Sequence, residues 1–380
     1  MPALLKHPDP DGLLEYSVVY TDRALNHMSQ QFQTAMRDLS ALLREVYAAD
    51  AAAIVPGSGT AGMEAVARQL ARGKRCLIVR NGFFSFRWSQ ILERGGLAAD
   101  TRVLSARRVA EGAQQPFAPA PIAEVEAAIA EFRPDIVFAP HVETASGMML
   151  PPDYIRRLSA AAHAVGALTV IDCIASGCIW LDMRDLGIDI LLSAPQKGWS
   201  GTPCAGLVML SERAVQAVQD SESDSFTLDL KKWLDIMRAY EQGGHAYHAT
   251  MPTDALLRLR DTMLEARRIG WGSLKTAQED LGREVRGLLA EKGFASAAAP
   301  GFEAPGVVVC YTGRDDIRSG QAFAAAGVQI AAGVPLQCGE GADFRTFRIG
   351  LFGLDKLADT GRTVRLLRQA LEQIAAGTAV

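Results

Sequence analysis

The chain lacks any run of basic residues, and its charges nearly cancel: 39 Lys and Arg stand against 43 Asp and Glu, a formal net charge of −4. That pattern argues against a nucleic-acid partner. Long apolar runs are missing too. The most apolar stretch, residues 168–181, contains Asp172 and falls short of the roughly 20 residues that a membrane-spanning helix needs. Near the N-terminus, Lys6, His7, Asp9 and Asp11 stand where a signal peptide would have an apolar core. Cysteine is scarce, and Cys76, Cys173, Cys178, Cys204, Cys310 and Cys338 form neither a CxxC pair nor a zinc spacing. The expectation is a cytoplasmic protein with reduced thiols, no metal and no membrane contact. Internal repeats are absent, and low complexity is confined to Ala-rich stretches.

Apolar material is plentiful. Of 380 residues 49% are hydrophobic, enough to offset the entropy of ordering and to fill two cores. Strand-length apolar segments recur at residues 76–80, 135–140, 168–172, 189–193, 206–210, 307–311 and 347–351. Most are continuous rather than alternating, as in strands buried on both faces of a mainly parallel sheet. Helical patterns lie between them, at residues 62–71, 122–131 and 153–164, which indicates an α/β layered fold. A polar loop at 243–254 precedes a long amphipathic run to residue 292. The expected division is an N-terminal arm over 1–20, a large domain over 21–255 and a smaller α+β domain over 256–380.

Three places carry chemistry. Pro56-Gly57-Ser58-Gly59-Thr60 precedes a helical pattern, so Ser58 or Thr60 can cap it while small residues let a phosphate approach the backbone. Alone, the segment reads equally as an ordinary capped helix. Asp172 ends an apolar strand, at the edge where α/β sheets bind ligands, or else merely caps the next turn. Lys197 follows the next strand; there a lysine can enter the cleft, lose part of its solvation and form a Schiff base, or remain a surface charge. In combination, a phosphate-binding helix start, an acid and a lysine at successive strand ends suit pyridoxal 5'-phosphate. That cofactor needs an amine for its aldehyde, an acid opposite the pyridinium nitrogen and a phosphate cup.

With these motifs assembled, the chain resembles the fold-type I, class V pyridoxal-phosphate aminotransferases, and most of all their alanine/serine–glyoxylate (serine–pyruvate) branch. SGTAGMEAV (58–66) resembles the family's phosphate cup, bringing Ser58, Gly59 and Thr60 to the cofactor. NGFFSFRW (81–88) puts Phe84 where an aromatic stacks on the ring, and HVETASG (141–147) puts Thr144 beside it. VIDCIAS (170–176) carries Asp172 and Ile174, and SAPQKGW (193–199) carries Gln196 and the Schiff-base lysine, Lys197. Tyr247 and Thr250 resemble the pair with which a neighbouring subunit completes the phosphate site, which implies a homodimer with composite sites. Arg348 in FRIGLFG (347–353) is the implied clamp for the substrate carboxylate, through a bidentate fork that lysine cannot offer.

The chain departs from the family at its start. Residues 9–29 hold no Gly-Pro-Gly-Pro segment, and Met28 stands in an arginine place between His27 and Ser29. The implied reaction is transfer of an amino group from a small amino acid, alanine- or serine-like, to glyoxylate or pyruvate. An alternative on the same fold is a cysteine desulfurase using Cys338, although such enzymes usually place His where Gln196 stands. A non-catalytic binder with a degenerate site is a third reading, opposed by the intact set of Lys197, Asp172 and Arg348.

Overall fold

The computed structural model describes residues 13–376, so most of the expected arm and the last four residues of the chain lie outside it. Among the described residues, seven strands form the main sheet: β1 (Ala51–Pro56), β2 (Arg75–Arg80), β3 (Asp100–Ser105), β4 (Ile136–Pro140), β5 (Leu168–Asp172), β6 (Ile190–Ser193) and β7 (Ala205–Leu210). Their spatial order is β1-β7-β6-β5-β4-β2-β3. Strands β3, β2, β4, β5 and β6 pair in parallel, whereas β7 runs antiparallel to both β6 and β1. Every residue of β4, β6 and β7 is buried, which explains their unbroken apolar runs.

Two strands of the main sheet escaped the sequence reading. β1 is Ala-rich and β3 is a half-exposed edge with Asp100, Thr101 and Arg102 at its start, so neither shows the continuous β-branched run of its neighbours. The reading of residues 206–210 as a strand holds, but β7 is the antiparallel member of the sheet.

This topology aligns the strand ends. Because β7 is antiparallel to both its neighbours, β1 runs in the same sense as β6 and the parallel set. The C-terminal ends of β1, β2, β4, β5 and β6 therefore share one edge, where open α/β sheets bind their ligands. A smaller antiparallel sheet of Val307–Tyr311, Thr346–Gly350 and Ala331–Ala332 lies across from it, with Thr346–Gly350 in the middle. The helix Thr253–Ile269 serves both cores: Leu256, Leu259 and Met263 pack with the large one, Ala266 with the small one. Among the described residues no helix is long and apolar enough to cross a membrane.

The helix Gly59–Leu70 presses directly on β7. A Cβ on Gly206 would lie 2.7 Å from the Gly62 Cα and 2.9 Å from the Ser58 carbonyl oxygen. Only bare backbone on both sides permits this approach. Gly206→Ala should destabilise the protein by about 1–3 kcal/mol through overpacking. Thermal melting checks this, and an unchanged melting temperature would show that the helix can retreat.

Candidate active site

The loops leaving this edge converge on a cavity of about 370 Å³. Of the residues singled out in the sequence, Ser58, Gly59, Thr60, Phe84, Thr144, Asp172, Ile174, Gln196, Lys197 and Arg348 all line it. Ser58 caps the helix Gly59–Leu70, its hydroxyl accepting from the Ala61 N–H at 3.2 Å. The N–H groups of Gly59 and Thr60 have no helical acceptor and sit at the positive end of the helix dipole. A Cβ on Gly59 would lie 2.6 Å from Ile174 Cδ1 and 3.2 Å from Ala194 Cβ, so any larger residue there needs the Ile174 side chain to shift.

Phe84 is set by a carboxylate that the sequence reading passed over. Glu143 is fully buried and takes four hydrogen bonds: Oε1 accepts from the N–H groups of Phe84 (3.2 Å) and Ala145 (3.0 Å), and Oε2 from the Ser85 N–H and hydroxyl (both 2.8 Å). It thus caps the helix Phe83–Arg94 from the loop after β4. Burial raises its pKa, while those hydrogen bonds favour the anion. A Cβ on Gly82 would lie 2.7 Å from Glu143 Cγ, which accounts for the glycine of the Asn-Gly pair. The signal was present: Glu143 is the one acidic residue between 136 and 150, around HVETASG.

Asp172 is 7% exposed, and its Oδ1 accepts from the Ile174 N–H at 2.9 Å. Burial pushes its pKa up to about 7; the nearby Glu143 adds to this and Arg87 opposes it. Lys197 is shifted the other way, its pKa lowered by burial and then by the charge of Arg348. Its Nζ stands 5.1 Å from the centroid of the Phe352 ring. The Lys197 turn is wedged in place: a Cβ on Gly198 would lie 2.1 Å from the Gly177 carbonyl oxygen, and Gly177 itself has φ +65°. Arg348 reaches in from the small sheet, its Nε donating to the Ala332 carbonyl at 2.8 Å and its guanidinium 5.7 Å from the Phe84 ring centroid.

Three predicted residues stand apart from this cavity. Tyr247 is 51% exposed, and its hydroxyl pairs with that of Thr250 at 3.1 Å, so within one chain neither reaches the site. Cys338 is not among the cavity's lining residues; its Sγ is 3.5 Å from the Arg80 carbonyl oxygen, and burial pushes its thiol up to about 12. In the other direction, the structure adds Arg87 and Phe352 to the lining. Arg87 was legible in principle, because it lies one helical turn beyond Phe84 and hence on the same face.

The description "Aminotransferase class-V" belongs to a family model that matches residues 13–332. The chain belongs to the class-V aminotransferases. It is 29% identical over 339 residues to 2-aminoethylphosphonate–pyruvate transaminase 2 of Paraburkholderia xenovorans (strain LB400), covering 88% of this chain and 86% of that one. It is 27% identical over 267 residues to the alanine–glyoxylate aminotransferase of Rattus norvegicus, covering 68% of this chain and 61% of the relative. In fold it matches the alanine–glyoxylate aminotransferase of Nostoc sp., with a TM-score of 0.77 at 22% identity over 92% of this chain and 88% of the other.

The expected fold-type I architecture and class V membership are thereby borne out, and the protein is a pyridoxal-phosphate-dependent transaminase. The cavity suits that cofactor. Arg87, Lys197 and Arg348 line it, and among the described residues none of them forms an ion pair, so each can face an anion. Asp172, conversely, is a buried acid whose ionised form awaits a cation such as a pyridinium N–H.

That mismatch yields a test on the cofactor-free enzyme. With a folded pKa near 7 against 3.8 when unfolded, Asp172 retains in the folded state a proton that the unfolded chain loses. Its contribution to stability therefore falls as pH rises from about 4 to 7, and the full penalty persists above. Cofactor-free Asp172→Asn should be more stable than cofactor-free wild type at pH 8, by about 1–4 kcal/mol, with the gap closing toward pH 4. Denaturant melts at several pH values check this; a pH-independent difference would reject it.

Proposed function

We propose that the enzyme moves an amino group from a small amino acid, alanine- or serine-like, to a small 2-oxo acid, glyoxylate or pyruvate. The observation that carries this reading is the convergence of Lys197, Asp172 and Arg348 on one cavity of about 370 Å³. Both relatives are named for a small 2-oxo acid, pyruvate in one case and glyoxylate in the other.

When bound, pyridoxal phosphate supplies an aldehyde for the substrate amine and a ring that accepts the electrons left when the α-proton departs. Lys197 Nζ would hold that aldehyde at rest and, once released, take the proton from the substrate Cα and return it one position away. Its lowered pKa keeps more of the amine neutral and able to do so. Asp172 would keep the ring nitrogen protonated. Phe84 and Ile174 would bound the ring faces, Thr144 and Gln196 would lie beside the cofactor, and Ser58, Gly59 and Thr60 would receive its phosphate at the helix start. Arg348 would fix the substrate carboxylate through a two-pronged contact.

We also infer a cytoplasmic homodimer with shared sites. Tyr247 and Thr250 are exposed and displaced from their own cavity, as residues serving a second subunit would be. All six cysteines are free, as suits a reducing compartment. The desulfurase alternative would require Cys338 at the substrate as a thiolate; it lies outside the cavity lining and its pKa is pushed up to about 12.

Incubation with alanine or serine, without acceptor, should release one equivalent of 2-oxo acid per site, and glyoxylate added afterwards should become glycine. Lys197→Ala should abolish both half-reactions. Arg348→Lys should lower kcat/KM by roughly 10- to 150-fold, the cost of one charge-assisted hydrogen bond. Cys338→Ala should retain transamination; release of sulfide from cysteine, lost in that variant, would instead favour the desulfurase. For the shared site, a Tyr247→Phe/Thr250→Ala double variant mixed with Lys197→Ala should regain activity in heterodimers, and no recovery would assign the pair to its own subunit.

A further inference from the structure

Among the described residues, Arg87 is the cavity-lining cation to which this mechanism assigns no part. It lies one turn beyond Phe84, and its Nη1 donates to the Thr60 hydroxyl oxygen at 3.0 Å. The guanidinium also stands 4.7 Å from the centroid of the Phe84 ring. Among the described residues it forms no ion pair, although it faces the cavity and its charge opposes the rise in the Asp172 pKa.

The direction of the Thr60 contact matters. A guanidinium can only donate, so the threonine oxygen must accept, and the hydroxyl proton is left to be given elsewhere. Among the described residues no acceptor takes that proton. Thr60 also lies in the first turn of the helix Gly59–Leu70, whose free N–H groups and dipole already favour an anion. The helix start, the oriented hydroxyl and the unpaired guanidinium thus present donors and positive charge together. Arg348 comes instead from the small sheet, with its Nε committed to the Ala332 carbonyl.

We propose that Arg87 is a positioning residue for the cofactor's phosphate: it turns the Thr60 hydroxyl into a donor and adds a full positive charge beside it. This rests on the cavity's being the pyridoxal-phosphate site. Arg87 acts through Thr60 and takes no proton in the reaction. Its effect belongs to binding of the phosphate, and lysine, which keeps the charge but loses the planar fork, should replace it only in part.

The test compares two ligands on the cofactor-free protein by tryptophan fluorescence: pyridoxal phosphate, and pyridoxal, which has no phosphate. Wild type should bind pyridoxal phosphate much more tightly, and equal affinity would overturn the phosphate-cup reading itself, before Arg87 is considered. Given that preference, Arg87→Gln should weaken pyridoxal phosphate by about 10- to 100-fold and change pyridoxal by no more than about twofold. Arg87→Lys should recover part of the loss. In a Thr60→Val background, Arg87→Gln should cost markedly less, because the hydroxyl it orients is gone. Equal weakening of both ligands would mean that Arg87 only supports the fold and would overturn the proposal, as would no weakening of either. Should Arg87→Gln melt too low to titrate, Arg87→Lys with the same ligand pair decides the matter: a loss confined to pyridoxal phosphate supports the role, and any other pattern refutes it.

Discussion

The site depends first on a buried carboxylate that touches no substrate. Glu143 collects four hydrogen bonds from the start of the helix Phe83–Arg94 and from its own loop. A buried charge is tolerable only when it is hydrogen-bonded this fully. The carboxylate in turn fixes where three segments meet: the end of β4, the Asn81-Gly82 turn and the first turn that carries Phe84 and Arg87. If Glu143 were lost, the helix start would keep its N–H groups buried without acceptors, and Phe84 would lose its register against Thr144.

Around that anchor the cavity holds charges that do not cancel within the chain. Two of its cations, Lys197 and Arg348, have their charged forms disfavoured by burial, and the acid Asp172 is disfavoured in the same way. A protein seeking only stability would pair these groups or replace them with apolar ones. Keeping them apart leaves a site whose electrostatics are completed by a molecule with an anionic phosphate, a protonatable ring nitrogen and an aldehyde, and by a substrate carboxylate. The unfavourable burial and the affinity for ligand are two sides of one arrangement.

Much of this was legible in the sequence, for identifiable reasons. Strands buried on both faces read as unbroken apolar runs, so β2 and β4 to β7 stood out, whereas Ala-rich β1 and polar-edged β3 did not. Lys197, Asp172 and Ser58 were found because the backbone alone puts strand ends and helix starts together. Glu143, Arg87 and Phe352 were not, although each lay inside a motif already singled out. Their roles depend on which way a side chain turns across the cavity, and spacing along one chain does not encode that. Tyr247 and Thr250 mark a further limit, because their place in one subunit does not display their ligand.

The distance between Lys197 and Arg348 is a question of how two domains are held, and here Gln278 is decisive. It is fully buried in the helix Trp271–Glu291, and its Nε2 donates to the carbonyls of Pro305 and Leu351, both at 3.3 Å. Leu351 directly continues the strand Thr346–Gly350 that bears Arg348. The same side chain lies against the other domain, since a Cβ on Gly177 would come within 2.8 Å of its Oε1. Gly177 is the residue against which Gly198, next to Lys197, is wedged. A second tie runs parallel to it, from the Leu354 N–H to the Ser200 hydroxyl at 3.1 Å. The amine and the carboxylate clamp are therefore referenced to each other through bare backbone, the buried Gln278 amide and the Ser200 hydroxyl. Such a path transmits position closely, which a proton transfer between neighbouring atoms demands.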